Sequence, residues 1–178
     1  MDEQLDGRVV VGIAATIAGL QALRRAVEEA RRRGVPLHAV RAWQSPFNWS
    51  GDDAARWREE MAEEARAELR EAFALAFGGV PTDVAVRPVV VEGPPHRVLV
   101  AQADRDSDLL VVGVHRRRHP WFPIGFGQYC RRHAGCPVLL VPPPELATTG
   151  RLGALARQLR RETEQYVYAR NAAGPPRR

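Results

Sequence analysis

The chain has 178 residues, of which 45% are hydrophobic, and this content is sufficient for a folded core and excludes disorder throughout. All 26 basic residues are arginine, so the lysine chemistry of a P-loop or a Schiff base is excluded. The formal charge of +5 is uneven, because residues 1–147 carry 19 Arg against 19 Asp and Glu, whereas residues 148–178 carry seven Arg against two Glu.

The ends of the chain and its cysteines indicate the compartment. The acidic amino terminus leads directly into an apolar run, and no run approaches the roughly 18 apolar residues of a membrane helix. We therefore expect a cytoplasmic protein without membrane contact. The two cysteines, Cys130 and Cys136, predict no disulfide framework.

Segments of strand type and helix type alternate along the chain. The strand-type segments are short apolar runs, and the helix-type segments repeat apolar residues three or four positions apart. In chain order, the predicted elements are a strand at 8–13, a helix at 18–34, a strand at 36–43, a helix at 54–77, a strand at 84–93, a helix at 93–103, a strand at 109–112, a helix at 125–134 and a strand at 138–141.

This alternation predicts an α/β fold with a three-layer doubly wound sheet of five parallel strands. The third strand contains Pro88, which cannot donate a ladder hydrogen bond, so this strand is expected at an edge of the sheet. The last two strands are wholly apolar and are predicted to be buried on both faces. We expect this domain to comprise residues 1–147, followed by a basic amphipathic helix and a frayed tail at 148–178.

Five pieces of the chain resemble the universal stress protein family, in the order in which that family carries them. They are VVVGIAAT, LHAVRAW, VVEGPP, SDLLVVG and RRHAGCPVLLVP, so the resemblance covers residues 8–143. It implies the strand order 3-2-1-4-5 and, in one branch of the family, ATP bound near the carboxyl ends of the first and fourth strands.

The resemblance also implies a homodimer formed through the last strand. An apolar edge strand would otherwise expose unpaired amides and carbonyls, which independently favours pairing with a second chain. The residues of this dimer edge are Val138, Leu139, Leu140 and Val141.

The implied nucleotide site lies at the carboxyl ends of the strands. Open α/β sheets bind ligands at this edge, and the free amides of a helix N-terminus favour anions there. The positions of this chain that match the family's site are Gly12, Ile13, Ala14, Val40, Gly113, His115, Arg116, Gly125, Phe126 and Gly127.

Several of these positions depart from the ATP-binding pattern. Ala14 stands where ATP-binding members carry an aspartate, so that side-chain contact with the base is lost. Their phosphate motif resembles Gly, two residues, Gly, nine residues, Gly, then Ser or Thr; Gly113 matches the first glycine, and Arg116 replaces the second. When the motif is aligned by counting back from HAGCPV, Ile124 stands at the third glycine, and Gly125 and Gly127 stand at the two positions that carry a hydroxyl in ATP-binding members. An alignment shifted by one residue matches Gly125 to the third glycine but loses the helix register. We therefore expect a degenerate site.

These features predict a non-catalytic stress-response module that acts through interactions or regulation and has no cofactor. Two alternatives remain open. The segment at 115–119, HRRRH, offers guanidinium groups in place of glycine amides, and these would let ATP or another phosphorylated nucleotide bind. The basic tail at 148–178 offers a contact for nucleic acid, although the charge-balanced domain argues against a large phosphate-tracking face.

Two further clusters have simpler explanations than catalysis or metal binding. Cys130, His133 and Cys136 straddle a helix end and a strand start, so their spacing does not fit a zinc site, even with histidines at 115 and 119. The aspartates at 104, 106 and 108 precede the fourth strand on the side away from the expected site, and their predicted role is helix termination and solubility. Without a local signature of a nucleophile and its base, no enzymatic activity is expected.

Aromatic residues follow two of the strands near the expected site. Trp121 and Phe122 lie in a proline-rich loop, and we expect them to fold over the site or enter a dimer contact. The alternative is a stacking platform for single-stranded nucleic acid. Trp43, Phe47 and Trp49 follow the second strand and are expected to wall the same cleft.

Overall fold

The structure is a computed structural model, and it describes residues 7–44, 52–114 and 125–144. All nine predicted elements are present in these ranges, each within two residues of its expected bounds. In chain order they are β1 (Val9–Gly12), α1 (Ile17–Arg33), β2 (Leu37–Trp43), α2 (Asp52–Phe77), β3 (Val86–Glu92), α3 (Pro95–Gln102), β4 (Leu109–Gly113), α4 (Phe126–His133) and β5 (Val138–Val141). They belong to one compact unit, Met1–Pro143. The predicted C-terminal helix lies outside the described residues.

The five strands form one parallel sheet in the order β3-β2-β1-β4-β5, which confirms the predicted fold class and strand order. β1 is central, with Val9 opposite Leu37 of β2 on one side and opposite Leu109 of β4 on the other. β3 lies at an edge, as Pro88 predicts. Because all the strands run in the same direction, the carboxyl ends of β1, β2 and β4 meet at one edge of the sheet.

Helices cover both faces of this sheet. Successive residues of a strand point to opposite faces, so Val9 and Val11 belong to one core cluster and Val10 to another. The first cluster contains Phe73 of α2 together with residues of α1, and the second contains Leu99 of α3 together with a residue of α4. The result is the predicted three-layer arrangement.

Local signals place the ends of α1 and α3. The hydroxyl of Thr16 accepts a hydrogen bond from the Gly19 amide at 3.0 Å and so caps the start of α1. Gly34 ends this helix at φ 67°, a left-handed conformation that glycine adopts without strain. Pro95 opens α3, where its missing amide hydrogen is not needed.

α2 is a long amphipathic helix of 26 residues, as predicted. Its exposed side carries ion pairs between neighbouring turns, including Arg56 with Glu60 at 3.1 Å and Arg66 with Glu63 at 3.2 Å. Among the described residues, no helix is long and apolar enough to cross a membrane.

The two adjacent apolar strands, β4 and β5, differ in burial. Leu109, Leu110, Val111 and Val112 are buried, as predicted. All four residues of β5 are only half-buried, so the prediction that this strand is buried on both faces is wrong. The physical reason is its position, because β5 is the second edge of the sheet and has a neighbouring strand on one side only.

Candidate functional site

The chain leaves β1 through a tight turn at the carboxyl edge of the sheet. The Ile13 amide donates to the Val40 carbonyl at 2.8 Å, which ties the end of β1 to β2. The Ala14 carbonyl then accepts from the Thr16 amide at 2.8 Å, and α1 begins at the next residue. Ala14 is half-buried and contributes only a methyl group to this edge.

β4 ends against the first turn of α1. A Cβ atom added at Gly113 would lie 2.6 Å from the Ala18 carbonyl oxygen and 3.0 Å from the Gly19 nitrogen. These distances are too short for any side chain, and both contacts are with backbone atoms. The structure therefore brings Gly113 next to the first turn of α1, directly after the turn that carries Ile13 and Ala14.

The start of α4 forms the next part of the same edge. Gly125 precedes the helix without a side-chain cap, and Phe126 is 36% exposed. A Cβ atom at Gly127 would lie 2.7 Å from Cγ1 of Val114 and 3.0 Å from Cδ2 of Leu140, so this glycine lets α4 approach β4 and β5 closely. The predicted site residues His115 and Arg116, and Ile124 of the altered motif, lie outside the described residues.

An ion pair that the sequence analysis missed lies beside Ala14. Arg41 of β2 pairs with Glu68 of α2, and its Nη1 atom donates to the Ile13 carbonyl at 3.4 Å. The two side chains are 28% and 36% exposed, respectively. The sequence does contain one signal, since Arg41 interrupts the apolar run of β2. Its partner could not be found that way, because Glu68 is 27 residues further along the chain.

Of the aromatic residues predicted to wall the cleft, Trp43 is described and lies at the end of β2. Trp43 contacts Trp57 of α2 edge to face, with ring centroids 6.2 Å apart and planes at 67°. The Gly93 amide donates to the Trp43 carbonyl at 2.7 Å, which joins the end of β2 to the turn after β3. The other aromatic residues predicted near the site, at 47, 49, 121 and 122, lie outside the described residues.

The aspartates before β4 lie at the amino edge of the sheet, opposite the site, as predicted. The predicted role of Asp108 is wrong, however, because its side chain is fully buried. It accepts from the backbone amide of Arg8 at 2.9 Å and from Nη2 of the same residue at 2.6 Å, while Asp104 forms a second ion pair with Arg8. Burial opposes ionisation of Asp108, but the Arg8 guanidinium and the backbone amides hold its pKa below the usual value.

The surroundings of Cys130, Cys136 and His133 favour structural roles for these residues over reactive or metal-binding ones. Burial raises the pKa of Cys130 to about 11, and burial also raises the pKa of Cys136. Both thiols are therefore poor nucleophiles at neutral pH. His133 is exposed, and its Nδ1 atom lies 2.9 Å from the Tyr129 carbonyl oxygen. The described residues contain no cluster of three or more metal-ligating side chains.

Comparison with known proteins identifies a family. The family model described as "Universal stress protein family" matches residues 7–142. No curated protein matches the sequence significantly.

Solved structures with a similar fold carry the same family name. A universal stress protein family member from Burkholderia pseudomallei is 25% identical, with 79% of this chain and 98% of that chain covered and a TM-score of 0.55. The universal stress protein UspA from Lactobacillus plantarum is 16% identical, with 76% and 97% covered and a TM-score of 0.54. A universal stress protein solved in complex with cAMP is 20% identical, with 78% and 98% covered and a TM-score of 0.50.

Proposed function

Because this chain belongs to the universal stress protein family, we propose that it is a non-catalytic interaction or regulatory module whose nucleotide site is degenerate. Its partners would then bind the surface of the folded domain, whether or not a nucleotide occupies the site. The fold brings Ile13, Ala14, Gly113 and the start of α4 to one edge of the sheet, and this supports a site at the position that the family resemblance implies.

One observation carries the proposal of a degenerate site. Gly113 is the first glycine of the phosphate motif and its clearest match, and packing alone requires a glycine there. Any side chain would meet the backbone of α1 at Ala18, whether or not a ligand is present. The presence of this glycine is therefore no sign of phosphate binding, and the proposal rests on the altered positions of the motif, which include Ala14 and Arg116.

The chemistry of the described edge supports a non-catalytic role. Arg41 and Glu68 are ionisable side chains near Ala14, and they are paired with each other. The thiol of Cys130 is buried within the core beneath α4, and its raised pKa makes it a poor nucleophile. We infer that this edge is suited to contact with another molecule and unsuited to acid–base or nucleophilic catalysis.

Calorimetry tests the proposal against nucleotide binding. The universal stress protein solved with cAMP makes cAMP a ligand to test beside ATP with Mg²⁺. We expect no dissociation constant tighter than about 10 µM for either nucleotide, because the base contact at Ala14 and the phosphate motif are altered.

Two arginine variants distinguish the outcomes. Arg116→Ala removes a guanidinium of the HRRRH segment, and Arg56→Ala removes an exposed guanidinium of α2 as the matched control. Binding tighter than about 10 µM that Arg116→Ala abolishes and Arg56→Ala retains would overturn the degenerate-site proposal in favour of a nucleotide sensor. Weak binding that both variants reduce equally would be nonspecific attraction to arginine and would support it.

A further inference from the structure

A cluster of three rings joins α3 to α4. His96 is the second residue of α3, and its ring meets that of Tyr129 on α4 edge to face, with centroids 4.5 Å apart. The Tyr129 ring also stacks on that of His133, one turn further along α4, with centroids 4.0 Å apart and an interplanar angle of 15°. Two imidazoles therefore contact one phenol ring, and the three side chains link the two helices.

The two helices that form this cluster carry positively charged side chains and no negatively charged ones. The sequences of α3 and α4, PHRVLVAQ and FGQYCRRH, contain no acidic residue. Their charged groups are Arg97 on α3 and Arg131 and Arg132 on α4. A proton on His96 would therefore add positive charge to a contact in which both helices are already basic.

The strands beneath α3 present a mainly apolar face to this helix. α3 packs against β1 and β2, and the residues that these strands present to it are mainly apolar, such as Val10 and Val40. His38 shares that face of β2 but lies near its amino end, whereas α3 begins at the carboxyl edge. Beneath α4, β5 contributes Val138 and Leu140.

The position of His96 in its helix disfavours a charge as well. Burial lowers the pKa of His96, and Arg97 and His133 lower it further by like-charge repulsion. His96 also lies in the first turn of α3, where the positive end of the helix dipole opposes a cation. The neutral imidazole is thus the form that fits the folded contact.

α4 connects this cluster to the candidate site. Tyr129 lies only three residues after Phe126, and the Tyr129 amide donates to the Gly125 carbonyl at 3.0 Å. In the described residues, α4 contacts chiefly α3 and β5, and Gly127 is the point of close approach to Val114 and Leu140. A weaker contact with α3 would therefore change how the first turn of α4 is held at the carboxyl edge.

We propose that His96, Tyr129 and His133 form an acid-sensitive contact, which holds α4 against α3 near neutral pH and is loosened when His96 takes up a proton. The position of Phe126 and Gly127 at the carboxyl edge then responds to acidification. This response belongs to the scaffold and does not depend on whether the site binds a nucleotide.

The sign of the effect follows from linkage. The pKa of His96 is lower in the folded chain than in the unfolded chain, where it is about 6.5. The unfolded or locally open form therefore binds more protons as the pH falls below that value. The contact is fully present above about pH 6.5 and is lost as the pH falls through the folded pKa.

Nuclear magnetic resonance of the full chain tests the proposal between pH 7.5 and 5. The imidazole carbon-bound protons report the titration of His96, and the backbone amides of Phe126 and Gly127 report the first turn of α4. We expect both amides to shift with the midpoint of His96. Amides that do not shift, or that shift with a different midpoint, would overturn the proposal without any variant.

Three variants add controls. His96→Asn keeps a polar side chain that cannot be protonated, so the shift of the Phe126 and Gly127 amides should disappear. His133→Asn removes like charge and should raise the midpoint of His96 and of both amides together. Tyr129→Phe is the matched control, because it keeps the aromatic ring that contacts both imidazoles and should retain the transition. An amide transition that persists unchanged in His96→Asn contradicts the proposal.

Discussion

Gly113 illustrates at the scale of one residue how a motif position can have a purely structural reason. Its backbone meets the first turn of α1, where a Cβ atom would lie 2.6 Å from the Ala18 carbonyl oxygen. Backbone atoms of a packed helix cannot move aside as the tip of a side chain can. The sequence motif alone suggests a phosphate loop here, whereas the contact explains the glycine without a ligand.

Replacement of Gly113 by alanine should destabilise the fold. We expect Gly113→Ala to lower the free energy of unfolding by about 1–3 kcal/mol, the usual cost of forcing extra atoms into a packed contact. Urea denaturation followed by circular dichroism measures this change.

Gly125→Ala is the control for this substitution. Among the described residues, no atom would lie within 4 Å of a Cβ atom at Gly125, and its φ of −55° suits any residue. We therefore expect the free energy of unfolding to change by less than about 1 kcal/mol in this variant. Equal losses of stability in the two variants would contradict the packing explanation.

At the scale of elements, an ion pair joins β1 to β4 at the amino edge of the sheet. Asp108 precedes β4, is fully buried, and accepts from both the backbone and the guanidinium of Arg8, just before β1. Asp104 lies at the end of α3 and is 66% exposed, and it pairs with the same guanidinium. One arginine therefore links two strands and a helix end.

Removal of the buried carboxylate should be much more harmful than removal of the exposed one. We expect Asp108→Asn to lower the free energy of unfolding by about 2–4 kcal/mol. This loss is slightly smaller than that for breaking a fully buried ion pair, because Arg8 still pairs with Asp104 in the variant. Asp104→Asn is the matched control and should cost far less, since solvent screens an exposed pair. Urea denaturation of the wild type and the two variants at pH 7 measures both changes. Similar losses of stability in the two variants would contradict the conclusion that the buried carboxylate contributes more than the exposed one.

The same ion pair predicts a dependence of stability on pH. The pKa of Asp108 is lower in the folded chain than its unfolded value of about 3.9, so the unfolded chain binds more protons in acid. Its contribution is present above about pH 4 and is lost as the pH falls through the folded pKa. The difference in unfolding free energy between the wild type and Asp108→Asn should therefore shrink from pH 7 to pH 3. A constant difference would contradict a contribution from the ionised Asp108 carboxylate.

At the scale of the whole molecule, the two edges of the sheet are protected differently. β3 contains Pro88, and both this proline and the neighbouring Arg87 are exposed, which makes the strand a poor template for another strand. β5 is an uninterrupted apolar run without proline, and its four residues are only half-buried in one chain. The edge at β5 is thus the better one for pairing with a second copy.

We expect the chain to form a homodimer through Val138–Val141. Sedimentation equilibrium at tens of micromolar protein should give twice the chain mass of 19.8 kDa. The dimer should persist at about 1 M salt, because pairing of apolar strands is not screened as contacts of charged residues are. A mass of one chain at the highest concentration, or a dimer that salt dissociates, would contradict pairing through β5.

Much of the fold could be predicted because its signals are local. Apolar runs of four to seven residues, the repeat of apolar residues in α1 and α2, and the glycine after α1 each act within a few residues of chain. They predicted the type, order and approximate bounds of all nine described elements. The strand order came from the family resemblance, and the sheet confirms it.

The contacts that decide the chemistry of this molecule could not be predicted in this way. Arg8 and Asp108 are 100 residues apart, and Arg41 and Glu68 are 27 residues apart, so no local pattern connects them. The partial burial of β5 likewise depends on the position of this strand at the edge of the sheet. Local periodicity and turn residues therefore determined the elements and the class of fold. Only the tertiary structure decided which charges are paired, which glycine is required by packing and which rings meet between α3 and α4, because those depend on distances that the folded sheet creates.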